Sequence, residues 1–144
     1  MQEAEIAGQK GEIPIGAAVV SENNQLLSSA YNQAIAKADP TAHAEILALR
    51  KACQTIGNYR LLNTTLYVTI EPCIMCVGAL IHARVKTLVF GAADPKWGGA
   101  GSLYDLTTDK RLNHQLEVVS GVHESACRNL LQAFFRERRS APGN

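Results

Sequence analysis

The sequence predicts an α/β fold in which helices cover both faces of a sheet that contains parallel strands. The chain has 144 residues, a length typical of a single domain, so we expect residues 1–144 to form one. Hydrophobic residues make up 47% and charged residues 19%, which is typical of a compact folded protein. Strand-like and helix-like segments alternate in the middle of the chain, and this alternation favours parallel strands joined by helical crossovers.

The first half of the chain is predicted to form a hairpin and then a helix. Gly16–Val20 and Leu26–Tyr31 are short apolar runs separated by a polar loop, a pattern typical of an antiparallel hairpin. From Thr41 onward, apolar residues recur at three- and four-residue spacing until Gly57, which predicts a helix. Thr41 or Asp39 is expected to cap its first turn.

The second half is predicted to alternate strands and helices around a loop rich in glycine. Pro72 ends the first of these strands, because its ring cannot continue a ladder of hydrogen bonds but permits a helix to begin. The short helix that follows is apolar nearly all round and is expected to be buried. In order, we expect a strand at 64–70, a helix at 73–83, a strand at 86–90, the loop at 91–102, a weaker strand at 116–119 and a helix at 123–138.

Two short motifs carry the residues best suited to chemistry. His43 and Glu45 stand at the start of one predicted helix, and Cys73 and Cys76 follow Pro72 at the start of another. Cysteines three residues apart on a helix project from the same side, and a helix N-terminus stabilises their thiolates. With His43 they make three ligands, the number that a catalytic zinc site uses. We therefore expect one Zn²⁺ per subunit, with Glu45 moving protons beside it.

Other interpretations of these motifs exist. A Cys-x-x-Cys pair alone is also typical of redox proteins and of structural zinc sites, but the accompanying His-x-Glu disfavours both. A non-catalytic zinc or RNA-binding module is a further alternative, against which the carboxylate of Glu45 argues. A fourth ligand could come from His82, His114 or His123, although such residues are more often ordinary core or surface histidines. Cys53 and Cys127 are expected to be small buried hydrophobic residues.

The net charge and the search for targeting signals limit the partners and the cellular location that the sequence predicts. The net charge is +1, so the whole molecule does not indicate a polyanionic partner, but the second half of the chain is the more basic. No segment is long and apolar enough to act as a signal sequence or to span a membrane. We expect a cytoplasmic protein without membrane contact.

Longer segments, some of which contain the two motifs, resemble those of a known family. Residues 12–17, 39–45, 58–61 and 66–73, together with Phe90-Gly91-Ala92 and Phe134-Phe135-Arg136, are similar to those of the bacterial tRNA-specific adenosine deaminases. The resemblance implies a three-layer α/β/α cytidine-deaminase-like fold with a central mixed five-stranded sheet. It also implies a single CMP/dCMP-type deaminase domain that acts as a homodimer. Only eleven residues precede the first of these segments, so we expect a short N-terminal helix.

The resemblance implies a reaction and a set of residue roles. The reaction is the hydrolytic deamination of adenosine to inosine at the wobble position of a tRNA anticodon, with release of ammonia. Single-stranded loops suit such chemistry, because a base leaves its stack there at low cost. The implied zinc ligands are His43, Cys73 and Cys76, the implied proton carrier is Glu45, and the implied substrate-binding residues are Asn32, Ala44, Asp94, Asn113 and Phe135.

Some of these roles have simpler alternatives. Asn32 could only end a strand, Asp94 could only form a turn before Pro95, and Phe135 could belong to the core face of the last helix. For the enzyme as a whole, the alternative is a deaminase of guanine or another free base or nucleotide, because such enzymes share the zinc motif.

Overall fold

The computed structural model describes residues 1–143, and its central sheet matches the predicted mixed architecture. Four helices and five strands follow in the order α1 (Gln2–Gln9), β1 (Gly16–Val20), β2 (Leu26–Tyr31), α2 (Ala44–Ile56), β3 (Thr65–Ile70), α3 (Ile74–His82), β4 (Thr87–Ala92), β5 (Glu117–Val119) and α4 (Glu124–Ser140) within those residues. The strand order is β2-β1-β3-β4-β5. Strand β1 is antiparallel to both β2 and β3, whereas β3, β4 and β5 are parallel.

The helices lie on both faces of the sheet, as the sequence predicted. Helices α2 and α3 share a buried core with the sheet, to which Leu47, Leu66 and Leu80 contribute. On the opposite face the backbone of α1 approaches β1, because a Cβ atom on Gly16 would lie 2.6 Å from the nitrogen of Ala4. Helix α4 approaches β4 in the same way, since a Cβ atom on Gly91 would lie 2.5 Å from the Cys127 sulfur. Together these contacts confirm the α/β/α layers.

The predicted caps of α2 are wrong. The helix begins at Ala44 with His43 as its N-cap residue. The carboxylate of Asp39 instead accepts hydrogen bonds from the backbone nitrogen of Thr41 at 2.8 Å and from its hydroxyl at 2.7 Å. Asp39 therefore closes the turn before the helix, a local bonding pattern that competes with capping. The predicted end at Gly57 is confirmed, with a left-handed φ of 75°.

Several predicted burial patterns hold only in part. Helix α3 is not buried all round, because Ile74 is 40% and Met75 is 37% exposed. Cys127 is buried as expected, whereas Cys53 is only half-buried. Strand β4 runs past its predicted end because the residues after Phe90 continue its pairing with β3.

Two further expectations concern the length of the N-terminal helix and the presence of membrane-spanning segments. The N-terminal helix α1 has eight residues and is short, as expected. Within residues 1–143, none of the helices has both the length and the apolar character needed to cross a bilayer.

Candidate metal centre

The two chemical motifs meet where helices α2 and α3 begin. His43 is the N-cap of α2 and Cys73 is the N-cap of α3, both with extended backbone, and neither side chain caps its own helix. Cys76 lies in the first turn of α3 and is fully buried. Helices α2 and α3 are in contact, and α3 follows the carboxyl end of β3. This is the end of parallel strands at which α/β proteins usually bind ligands.

The geometry of the three side chains fits a tetrahedral metal ion. The Nδ1 atom of His43 lies 3.6 Å from the sulfur of Cys73 and 3.5 Å from that of Cys76. All three ligand atoms lie within 4.8 Å of one another. Zinc bonds of about 2.3 Å to sulfur and about 2.0 Å to nitrogen, at tetrahedral angles, place nitrogen and sulfur about 3.5 Å apart. The cluster could therefore hold a metal ion, by its spacing and by its donor chemistry.

The two thiols of the cluster differ in acidity. A hydrogen bond from Cys76 lowers the pKa of Cys73 to about 4, and His43 adds to this effect while burial opposes it. The hydrogen bond to Cys73, burial and the charge of Glu45 raise the pKa of Cys76. The pKa of His43 is raised, chiefly by its hydrogen bond with Cys73. Cys73 is thus the first of the pair to become a thiolate, the form that binds metals.

Glu45 is a buried acid in contact with this cluster. Its side chain is 4% exposed, and its Oε2 atom accepts a hydrogen bond from the Cys76 sulfur at 3.0 Å. Burial raises its pKa, although the Cys76 hydrogen bond partly opposes the shift. A carboxyl group whose proton affinity is raised by burial is suited to give and take protons near neutral pH.

Ala44 directly follows His43, and the segment that contains Asn32 is hydrogen-bonded to the residue before His43. Asn32 is 5% exposed and its amide nitrogen donates to Glu12 at 3.4 Å. The next residue, Gln33, donates its backbone N–H to the oxygen of Ala42 at 3.0 Å, which ties this segment to the residue before His43. Ala44 is fully buried at the first position of α2.

The other predicted substrate residues are Asp94, Asn113 and Phe135, which belong to a loop, a connecting segment and helix α4. The Oδ1 atom of Asp94 accepts from the backbone nitrogens of Lys96 at 3.0 Å and Trp97 at 3.2 Å, so this residue does form a turn. Asn113 is exposed in the segment before β5. Phe135 is not a core residue: it is 39% exposed and packs edge-to-face against Phe134, with ring centroids 5.5 Å apart. The side-chain partners found for Asp94 and Phe135 thus belong to their own loop and their own helix.

The remaining histidines do not complete the cluster. Among residues 1–143, the group whose donor atoms are close enough to hold a metal ion consists of His43, Cys73 and Cys76. His114 instead pairs with the oxygen of Val85 at 2.6 Å, and His82 and His123 lie at the end of α3 and the start of α4.

Two further buried carboxylates were not assigned a role from the sequence. Glu12 is 2% exposed and its Oε1 atom accepts from the backbone nitrogen of Ala36 at 2.7 Å. Glu71 is 3% exposed and binds the glycine-rich loop. The sequence does carry a signal for both residues. Each is an acidic residue close to a predicted apolar strand, within one of the segments that resemble the family.

Comparisons with known proteins agree with this geometry. The model of the MafB19-like deaminase family matches residues 1–139. The chain is 51% identical over 136 residues to a tRNA-specific adenosine deaminase of Haemophilus influenzae, covering 94% of this chain and 79% of the relative. It is 49% identical over 139 residues to that of Bacillus subtilis, covering 96% and 86%. The chain belongs to the tRNA-specific adenosine deaminase family. It is therefore a deaminase, as the motifs predicted.

Solved structures of other deaminases superpose on this chain. A structure from a study of A-to-I editing by tRNA:A34 deaminases superposes with a TM-score of 0.86 at 39% identity, covering 90% of this chain and 93% of that one. A guanine deaminase from Nitrosomonas europaea gives a TM-score of 0.76 at 25% identity, covering 92% and 80%. The cytidine-deaminase-like fold is thus confirmed, and the guanine deaminase alternative is the less favoured one.

We expect the cluster to bind one divalent metal ion per chain and the variant Cys76→Ser to bind it poorly. Loss of a residue that only supports a ligand typically weakens metal binding by about 10- to 100-fold, so loss of a ligand should exceed about 100-fold. Metal content after gel filtration, measured by mass spectrometry, checks this. Cys53→Ser is the matched control, because Cys53 is half-buried and outside the cluster. Equal loss of metal in both variants would contradict the assignment.

Proposed function

We propose that this deaminase converts adenosine to inosine at the wobble position of a tRNA anticodon, releasing ammonia. The observation that carries the proposal is the cluster of His43, Cys73 and Cys76 with the buried Glu45 in contact with it. The relatives named as tRNA-specific adenosine deaminases support the choice of substrate. In this proposal residues 1–144 act as one CMP/dCMP-type deaminase domain, in the cytoplasm.

The metal we propose is Zn²⁺, held by His43, Cys73 and Cys76. Two sulfur donors and one imidazole suit zinc, and three protein ligands are typical of a catalytic site and not of a structural one. A bound zinc ion would supply the Lewis acidity that makes a water molecule nucleophilic near neutral pH.

Glu45 is proposed to carry the protons of the reaction. Its carboxylate takes a proton from the attacking water and delivers it to a ring nitrogen of adenine, so that water adds at the carbon bearing the amino group. The carboxylate then takes the proton of the added hydroxyl and passes it to the amine, which leaves as ammonia while the hydroxyl becomes the inosine carbonyl. Burial suits Glu45 to this exchange, because it raises the pKa of the group.

The substrate contacts are proposed on position and chemistry. Asn32 offers an amide with both a donor and an acceptor for the flipped base. Ala44 offers a backbone N–H in the first turn of α2, where such groups have no partner within the helix. Asp94, Asn113 and Phe135 are proposed to border the RNA; Asp94 closes the turn that carries Lys96, and the ring of Phe135 is accessible enough to meet a base.

The proposed substrate can be separated from its alternative by one comparison. The full chain loaded with zinc should release ammonia and form inosine in an anticodon stem-loop with adenosine at the wobble position. Guanine and cytidine at the same concentration should release at least about 100-fold less ammonia, because a site built to bind one set of polar groups leaves them unpaired with another. Turnover of guanine without turnover of the stem-loop would replace the proposal with the guanine deaminase alternative.

Replacement of Glu45 should separate metal binding from proton transfer. Glu45→Gln keeps the shape of the side chain but removes its proton-carrying group, so we expect inosine formation to fall about 10²- to 10⁴-fold. Metal content and melting temperature should change little. The matched control is Glu124→Gln, since Glu124 is also an acid in the first turn of a helix. Full activity of Glu45→Gln would remove Glu45 from the mechanism.

We also propose a homodimer, formed in part by the exposed apolar residues at the start of α3. Ile74 is 40% and Met75 37% exposed, directly beside the ligand Cys73. Light scattering at micromolar concentration should give about twice the chain mass of 15.5 kDa. Met75→Glu should shift the mass toward the monomer, whereas Leu26→Glu, on a residue 65% exposed in β2, should not. A monomeric wild-type chain would contradict this part of the proposal.

A further inference from the structure

The glycine-rich loop, which we define as residues 94–102, lies directly against the start of α3. Gly98 forms an antiparallel bridge with Cys73, and the backbone nitrogen of Gly99 donates to the oxygen of Pro72 at 2.8 Å. A Cβ atom on Gly99 would lie 3.1 Å from the Cα atom of Ile74. The loop therefore contacts the backbone before, at and after Cys73, the proposed ligand with the lowest thiol pKa.

One buried carboxylate holds this loop at both ends. The Oε1 atom of Glu71 accepts from the backbone nitrogen of Asp94 at 3.2 Å. Its Oε2 atom accepts from the backbone nitrogens of Ala100 at 3.0 Å and Ser102 at 3.1 Å, and the Ser102 hydroxyl donates to Oε1. All four partners are donors, so the position requires a group that only accepts, which an ionised carboxylate is.

The loop and Glu71 are also matched in shape. A Cβ atom on Gly98 would lie 2.1 Å from Oε2 of Glu71 and 2.6 Å from the backbone oxygen of Asp94. No side chain fits there without moving the carboxylate or the loop. Gly98 thus allows the same backbone segment to touch Glu71 on one side and to pair with Cys73 on the other.

We propose that Glu71 is a positioning residue for the metal centre. It holds the loop against Cys73 and so fixes the backbone from which that ligand projects. Groups that orient metal ligands without binding the metal commonly control affinity and geometry in this way. The inference rests on the proposed metal site, but it concerns a residue that touches neither the metal ligands' donor atoms nor the substrate in that proposal.

If Glu71 only stabilised the fold, its replacement would lower the stability of the chain without changing metal binding. Burying a carboxylate with four donors contributes to folding wherever it occurs, so loss of stability alone does not separate the two roles. Thr64 provides the matched comparison. It is 2% exposed, its hydroxyl donates to the oxygen of Leu61 at 2.6 Å, and it lies next to the opposite end of the strand that leads to Glu71.

The test uses Co²⁺ as the probe, because its visible absorption reports on thiolate ligands and on their geometry. In the full chain, Glu71→Gln places an amide NH₂ among hydrogen-bond donors. It should weaken the Kd for Co²⁺ about 10- to 100-fold and alter the thiolate-to-cobalt absorption band. Thr64→Ala should lower the melting temperature while leaving the Kd and the band at their wild-type values.

The outcomes separate this inference from the proposed function. If Glu71→Gln melts earlier but binds Co²⁺ with the Kd and spectrum of Thr64→Ala, Glu71 is not a positioning residue. If Glu71→Gln does not fold, Ser102→Ala, which removes a single donor, must show a smaller shift in the same direction, and an unchanged spectrum overturns the inference. A wild-type chain that binds no Co²⁺ would overturn the proposed metal site itself.

Discussion

Helices α2 and α3 begin at residues whose side chains leave their own helix uncapped, and the metal centre depends on this constraint. His43 and Cys73 hold the extended backbone of an N-cap, yet neither side chain bonds back to its helix. Both side chains are thereby available to one another, 3.6 Å apart between Nδ1 and Sγ. The positive ends of two helix dipoles then meet beside the thiolate of Cys73, which they stabilise.

The three buried carboxylates of Glu12, Glu45 and Glu71 have different hydrogen-bond partners. Transferring a charged carboxylate into a protein interior is unfavourable unless it gains hydrogen bonds. Glu12 and Glu71 gain them from backbone nitrogens of loops, so their burial fixes the course of the chain. Glu45 has a cysteine sulfur as its partner, and burial raises its pKa instead. The two loop-binding acids therefore position segments of the chain, whereas Glu45, which has no backbone donor from a loop, is the acid proposed to move protons.

The sequence predicted those parts of the fold that local patterns determine. The bounds of β1 and β2 were predicted as observed, because two short apolar runs and the polar loop between them specify a hairpin within sixteen residues. The grouping of His43, Cys73 and Cys76 was predicted because these residue types have few other uses together. The cap of α2 was wrong, since Asp39 had a nearer partner in Thr41.

Contacts between residues far apart in the chain could not be predicted from the sequence. Glu71 accepts hydrogen bonds from residues 23 to 31 positions later in the chain, and no periodic pattern in the sequence indicates these contacts. The exposure of Phe135 was equally hidden, because helical spacing predicts a face but not what covers it. Ile74 and Met75 were assigned to the core for the same reason: an apolar helix does not reveal which of its sides meets a neighbour.

The two faces of the sheet have separate consequences for local unfolding. Helices α1 and α4 lie on the face opposite the ligand-bearing helices, against Gly16 and Gly91. Segments that make few buried contacts open more readily than the core, and Cys127 is the buried residue of α4. Transient opening of α4 therefore leaves α2, α3 and the core between them in place. Amide hydrogens of α4 are accordingly expected to exchange with solvent well before those of α2 and α3.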